Sequence, residues 1–250
     1  MNMIETIKPV GDRAVRIGFK EEISDTVLRH IRSFCAVLEE ENHSAIVEWV
    51  PAYTSVTVFY KQELVDYDDI ALWLEQLSDR INHIETPPAR LLSVPVLYGG
   101  EKGPDLKEVA AFHNRSEEEV IKLHTEGDYL VYMLGFAPGF PYLGGLSNDI
   151  HTPRLDKPRQ KVSAGSVGIA GEQTGIYPLD SPGGWQIIGH TPARLFAPEL
   201  DDPFLFRAGD RLRFYPVKKE EYDELIVRAE KGESVVTIET VEVDANEHAN

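Results

Sequence analysis

In the N-terminal third of the chain, apolar positions switch repeatedly between a period of two and a period of three to four. Ile4 to Phe19 reads as a strand interrupted by the turn Val10-Gly11-Asp12-Arg13, with Val15, Ile17 and Phe19 alternating on one side. Ile23, Val27, Ile31, Phe34 and Leu38 then recur three or four apart, which predicts a helix with one apolar face, and Ser24 or Asp25 stands where its N-cap belongs. Two β-rich runs follow, Ala45 to Val50 and Ser55 to Tyr60, joined as a hairpin by Pro51-Ala52-Tyr53-Thr54. After Asp66-Tyr67-Asp68-Asp69, the positions Ile70, Trp73, Leu74, Leu77, Ile81 and Ile84 predict a second amphipathic helix.

Closed by a further strand at Leu91 to Tyr98, this order is that of the ferredoxin-like split βαβ arrangement, expected here for residues 1–89, with Thr86-Pro87-Pro88 marking the boundary. Pro95 cannot donate to a ladder, so its strand is either an edge of this domain or the first strand of the next. The first domain carries no concentrated catalytic constellation.

The texture then changes. Two short helices are expected, Asp105 to Phe112 and one opened by the capping box Ser116-Glu117-Glu118-Glu119, stopped at Gly127-Asp128. Gly135 to Gly209 holds twelve of the 19 glycines and nine of the 16 prolines, a density that forbids long helices and predicts a β-barrel or sandwich of short strands and tight turns across residues 90–217. In the remaining residues 218–250, Tyr222, Leu225, Ile226 and Ala229 predict a helix over Lys218 to Glu233, Val235 to Val243 a strand, and Asp244 to Asn250 a disordered end.

Charge narrows the partners. Against 25 basic residues stand 42 acidic ones, and the formal charge of −17 repels both nucleic-acid backbones and anionic membrane surfaces. The first residues lack the basic and apolar regions of a signal peptide and no apolar run has the length of a membrane span, so a cytoplasmic location is expected. Cys35 sits in an apolar stretch as a buried, unreactive thiol, and the scattered histidines show no metal-ligand spacing, so no metal site is expected.

Four segments of the glycine-rich half could carry chemistry. Gly135 to Gly145 alternates aromatics with Gly and Pro, so that Phe136, Pro138 and Phe140 could be presented rigidly to a ligand; a barrel corner whose rings fill the core fits the same spacing. Arg154 to Lys161 puts four basic residues within eight positions of an acidic chain, with Lys157, Arg159 and Lys161 on one side if extended, where a carboxylate or phosphate would be held; a solvated loop is the alternative. Ser163 to Gly175 spaces Gly165, Gly168, Gly171 and Gly175 three, three and four apart, leaving backbone amides accessible beside Ser166, Gln173 and Thr174, or simply forming a run of tight turns. It is neither a Walker A loop nor a nucleophile elbow. Ser181 to Pro192 joins a sharp turn to a strand carrying Trp185, a pocket floor or a core ring, and His190 is the histidine nearest these segments, with no orienting acid evident.

Taken together, Gly135 to Gly145, Pro153 to Ser166, Gly168 to Pro178 and Ser181 to Pro192 resemble the family of the B subunit of prokaryotic 5-oxoprolinase, and the likeness runs from Gly11-Asp12 through Pro51-Ala52-Tyr53-Thr54-Ser55 to Ala208-Gly209-Asp210. That family also contains an inhibitor of a sporulation histidine kinase and is similar to subunit 1 of allophanate hydrolase and to half of the urea carboxylase carboxyltransferase domain. Ser163-Ala164-Gly165-Ser166 departs slightly from the Pro-Ala-Gly-Ser of many relatives. The resemblance implies a ferredoxin-like domain followed by a cyclophilin-like barrel. It implies, too, a hetero-oligomeric hydrolase in which companion C and A subunits work with this chain to open 5-oxo-L-proline to L-glutamate with ATP as co-substrate, the chain alone being inactive. On the same footing Arg159, with Lys161, would neutralise a carboxylate or phosphate, Gln173 and Thr174 would bind the lactam amide, Tyr177 and Trp185 would shape the apolar wall, and Phe136, Pro138 and Phe140 its rim. The alternatives that the resemblance carries are an antikinase whose groove grips a proline-bearing helix of a histidine kinase, and carboxyl transfer to a urea-type amide.

Overall fold

A computed structural model describes residues 4–20, 23–77, 80 and 89–241. The chain divides into two compact units, residues 1–88 and residues 89–250. Ile81, Ile84, the Thr86-Pro87-Pro88 boundary and the end expected to be disordered lie outside the described residues.

In the first unit, the segment read as one strand interrupted by a turn is two antiparallel strands, β1 (Ile4–Val10) and β2 (Ala14–Phe19); α1 (Asp25–Glu41) follows, β3 (Ile46–Pro51) and β4 (Ser55–Tyr60) form the expected hairpin, and α2 (Tyr67–Leu77) comes last. Ser24 caps α1, its hydroxyl accepting the Val27 N–H. The sheet is antiparallel in the order β1-β2-β4-β3. Period-two positions Val15, Ile17, Phe19, Val56, Val58 and Tyr60 meet the apolar stripes of the two helices, Val27, Ile31, Phe34 and Leu38 with Ile70, Leu74 and Leu77, in one core. Cys35 packs beside that core, and burial, with Glu39 nearby, pushes its thiol up to about 12.

The closing strand expected at Leu91 to Tyr98 does not join this sheet. β1 holds the edge beside β2, and residues Ala89–Tyr98 form β5, a strand of the second unit. The remaining elements are α3 (Leu106–Phe112), α4 (Glu117–Thr125), β6 (Tyr129–Leu134), β7 (Pro141–Gly144), β8 (Arg159–Val162), β9 (Ser166–Ala170), β10 (Gln173–Ile176), β11 (Ser181–Gly183), β12 (Gln186–His190), β13 (Arg211–Pro216), α5 (Lys219–Glu230) and β14 (Thr237–Val241). Seven of the strands run in the order β12-β9-β10-β7-β6-β13-β5, and β5 pairs back to β12, so the sheet closes into a barrel. Strands β8 and β11 form a separate pair.

β5 reaches three neighbours. It runs parallel to β13, which faces Pro95 with Tyr215. On its other side β14 pairs as far as Ser93 and β12 begins at Leu97. Pro95 lies in the gap between those two ladders, where no N–H is required, which is how a proline sits inside a barrel strand. The Ser116 capping box forms with both of its hydrogen bonds. The segment set apart in the sequence as residues 218–250 is not a detached tail as far as Val241: Tyr222 and Leu225 of α5, with Val235 and Val236, complete the barrel core with Leu92, Val94, Val131, Ile169, Ile188 and Phe214.

Candidate functional site

The loop Gly135 to Pro141 consists of two consecutive turns. Ala137 N–H donates to Gly135 O at 2.7 Å, a three-residue turn centred on Phe136, whose φ of 65° is an unusual conformation for a phenylalanine. Phe140 N–H then donates to Ala137 O at 3.0 Å across Pro138 and Gly139, the latter at φ 83°, which is a type II turn with proline and glycine in the positions that require them. The pair of turns separates the two phenylalanines. Phe136 is 70 % exposed, Phe140 is buried at 3 %, and their rings meet edge-on at 5.5 Å. Pro138, between them, is exposed.

Phe140, Tyr177 and Trp185 form a cluster of edge-to-face rings, with centroids 5.9 Å apart for Phe140 and Tyr177, 5.6 Å for Phe140 and Trp185, and 6.3 Å for Tyr177 and Trp185. Val162, Ala170 and Ile187 fill the space around them, as a cluster separate from the barrel core. The rings are buried, so their faces form a packed foundation, and the groups that reach solvent around them are Phe136, Pro138 and Arg154. Burial pushes the Tyr177 hydroxyl above its ordinary range, a trend opposed by its bond to the Trp185 backbone and by Arg154 and Arg159.

Arg159 and Lys161, the cations read as anion receptors, are both engaged by acids. Arg159 pairs with Asp105 at 2.5 Å and donates its other terminal nitrogen to Trp185 O at 3.2 Å. Lys161 pairs with Asp180 at 2.7 Å. Asp105 is the residue that sequence reasoning missed. Its position predicts a helix start, yet its carboxylate does not cap α3. One oxygen meets Arg159 and the other accepts Ile187 N–H at 2.5 Å, while Asp105 N–H donates to Ile187 O at 2.9 Å. The signal available was the run Gly99-Gly100-Glu101-Lys102-Gly103-Pro104-Asp105, whose turn residues bring an acid back against β12.

Thr174 lies inside the barrel, fully buried. Its hydroxyl donates to Gly168 O at 3.0 Å and therefore accepts from His124 Nε2 at 2.9 Å, which leaves His124 Nδ1 to accept from the Tyr98 hydroxyl at 2.7 Å. Tyr129 donates to His124 O at 2.7 Å. Burial holds the His124 imidazole neutral and lowers its pKa to about 3. Ser166 is likewise buried, and Gln173 half-buried. Both nitrogens of His190 are committed: Nδ1 accepts from Tyr222 at 2.8 Å and Nε2 donates to Ala164 O at 2.8 Å. Burial, then Lys102, lowers its pKa to about 4. The structure thus brings Phe136, Pro138, Phe140, Tyr177, Trp185 and Arg159 to one neighbourhood and places Thr174 behind the barrel wall. Among the described residues no cluster of three or more His, Cys, Asp or Glu side chains is placed to hold a metal ion, and no helix is long and apolar enough to cross a membrane.

The closed barrel and the small helix-backed sheet belong to a carboxyltransferase-type domain: residues 5–206 match the family described as Carboxyltransferase domain, subdomain C and D. The chain belongs to the family of 5-oxoprolinase B subunits, being 45 % identical over 226 residues to the B subunit of 5-oxoprolinase from Bacillus subtilis (86 % of this chain, 94 % of that one) and 44 % identical over 208 residues to that from Haemophilus influenzae (83 % and 96 %). Among solved structures, the protein TTHA0988 is 35 % identical with a TM-score of 0.72, over 82 % of this chain and 40 % of that one. The urea amidolyase of K. lactis shares the fold at 21 % identity, TM-score 0.71, over 94 % of this chain and 16 % of that one.

Proposed function

We propose that this chain is the B subunit of a 5-oxoprolinase, acting with companion C and A subunits to convert 5-oxo-L-proline to L-glutamate at the expense of ATP. One observation carries the reading: 45 % identity extending over 94 % of the Bacillus subtilis 5-oxoprolinase B subunit, a span that leaves little of that protein unaccounted for. In this reading the N-terminal unit is ferredoxin-like and the barrel cyclophilin-like.

The chemistry requires activation of a poor electrophile. Transfer of the ATP γ-phosphoryl group to the lactam oxygen releases ADP and leaves an imidate-like carbon that water can attack; loss of phosphate and cleavage of the C–N bond, with a further water, yield glutamate. This chain's share is binding and orientation of the substrate. Phe136 and Pro138 form the rim, the Phe140, Tyr177 and Trp185 cluster fixes what stands above it, Gln173 reaches the lactam amide, and a cation of the Arg154 to Lys161 run neutralises the substrate carboxylate. The test is to mix the purified chain with its companions and follow ATP-dependent glutamate release. Release that needs all components supports the reading, and its absence sinks it. The family description favours carboxyl transfer to a urea-type amide as a second reading, which predicts activity only with a biotin-carrying partner.

A further inference from the structure

Of the four cations of the Arg154 to Lys161 run, two are paired with acids, while Arg154 and Lys157 are exposed and have no acid partner among the described residues, and of these two Arg154 alone is set over a ring. Arg159 spends one terminal nitrogen on Asp105 and the other on Trp185 O, and Lys161 is paired with Asp180. A guanidinium whose charge is already met by a nearly buried carboxylate is a brace, and a second carboxylate arriving there would have to compete with Asp105. Arg154 is placed differently. The residues on either side of it are fastened to the residues on either side of Trp185: Leu155 N–H donates to Gly184 O at 2.7 Å, and Gln186 Nε2 donates to Pro153 O at 3.0 Å. These two bonds set Arg154 opposite Trp185, with its guanidinium carbon 5.9 Å from the centre of the indole ring. Arg154 is exposed and, among the described residues, has no acid partner.

We propose that Arg154 is the receptor of the substrate's carboxylate, and that Asp105 and Arg159 are positioning residues that hold the Trp185 to Ile187 segment against which Arg154 is aligned. This rests on the 5-oxoprolinase reading for the identity of the ligand. The chemistry recognised is a small monocarboxylate on a planar amide ring: the guanidinium takes the carboxylate as a fork, and the adjoining ring cluster keeps that fork in register. In a chain of net charge −17, a local unpaired cation is what an anionic substrate needs.

The experiment measures binding of 5-oxo-L-proline, and of 2-pyrrolidinone, the same lactam without its carboxylate, to the full chain by calorimetry, alone and assembled with its companions. Loss of one charge-assisted contact corresponds to about 10- to 100-fold weaker binding of 5-oxo-L-proline to Arg154→Gln. Arg154→Lys recovers part of this loss, 2-pyrrolidinone binds wild type and Arg154→Gln alike, and the ionic-strength dependence of 5-oxo-L-proline binding disappears in Arg154→Gln. Arg159→Gln and Asp105→Asn shift the Trp185 emission, measured in a Trp49→Phe, Trp73→Phe background, and keep the ionic-strength dependence. Undiminished binding to a folded Arg154→Gln, loss of the salt dependence in Arg159→Gln instead, or no binding to the wild-type chain in either setting overturns the assignment. Selective binding without ATP-dependent glutamate release would leave Arg154 as a carboxylate receptor and remove the 5-oxoprolinase reading.

Discussion

Asp105 and Arg159 are 54 positions apart in the chain and meet in an ion pair of 2.5 Å, with Asp105 also holding Ile187 N–H. The pair joins the turn before α3 to β8 and, through Trp185 O and the Ile187 backbone, to the start of β12. It adds a side-chain tie among segments that backbone bonds also join, Asp105 N–H to Ile187 O at 2.9 Å and the pairing of Arg159 with Gly183. A charge-assisted hydrogen bond in a partly buried setting contributes more than a surface pair, because losing Asp105 leaves the buried Ile187 N–H unsatisfied and the Arg159 guanidinium without its carboxylate.

Asp105→Ala therefore costs about 2–3 kcal/mol of stability, Arg159→Ala less, and the double variant less than the sum of the two. Urea denaturation of the three proteins measures this. Strict additivity would show that the two side chains do not act as a unit.

The buried His124 sets a pH dependence of defined sign. Its folded pKa of about 3 lies below the ordinary 6.5, so the unfolded chain takes up the proton more readily. The contribution is complete above about pH 6.5 and is lost progressively as pH falls toward the folded value, at up to about 1.4 kcal/mol per pH unit. His190, lowered to about 4, adds a loss of the same sign. Denaturation midpoints should fall between about pH 7 and about pH 5, and His124→Gln should flatten part of that fall. A slope unaltered in His124→Gln would remove this residue from the account.

Gly165 cannot carry a side chain. Its φ is 85°, and a Cβ would lie 2.4 Å from Thr191 O and 2.6 Å from His190 Cε1. Since the first of these is backbone, no rotamer change relieves it, and Gly165→Ala should cost about 2–4 kcal/mol and disturb the bonds of His190 to Ala164 and Tyr222. Thermal unfolding together with the His190 ring resonances checks both effects.

Phe136 combines an exposed ring with a strained backbone, a combination that folding alone does not favour. Phe136→Gly relieves the φ strain and removes little buried area, so stability should stay level or rise by up to about 1 kcal/mol, read from the unfolding midpoint. Substrate binding or assembly with the companions should weaken in the same variant. A clear loss of stability would show that the ring is packed for the fold.

How much of this was legible in the sequence differs by element. Both helices of the first unit, the hairpin at Pro51 to Thr54 and the Ser116 capping box were readable, since each is decided within a few residues by side-chain period or cap chemistry. The aromatic and basic segments are visible in the sequence, yet which of the cations are engaged by acids is not. Arg154 and Arg159 look alike in a linear run, and only the return of Asp105 distinguishes them.

From its residues alone, this chain determined its element types, its turns and the glycine-rich stretch that carries the candidate site. Tertiary structure decided the rest: that β5 serves the barrel and not the first sheet, that β12 closes on β5, that Thr174 faces His124 inside, and that Arg159 is already spoken for. Local pattern specifies which face of a segment avoids water, but a strand's neighbour and an ion's partner are chosen by competition among segments distant in sequence. That competition is settled only when the whole core packs and every buried polar group finds a bond.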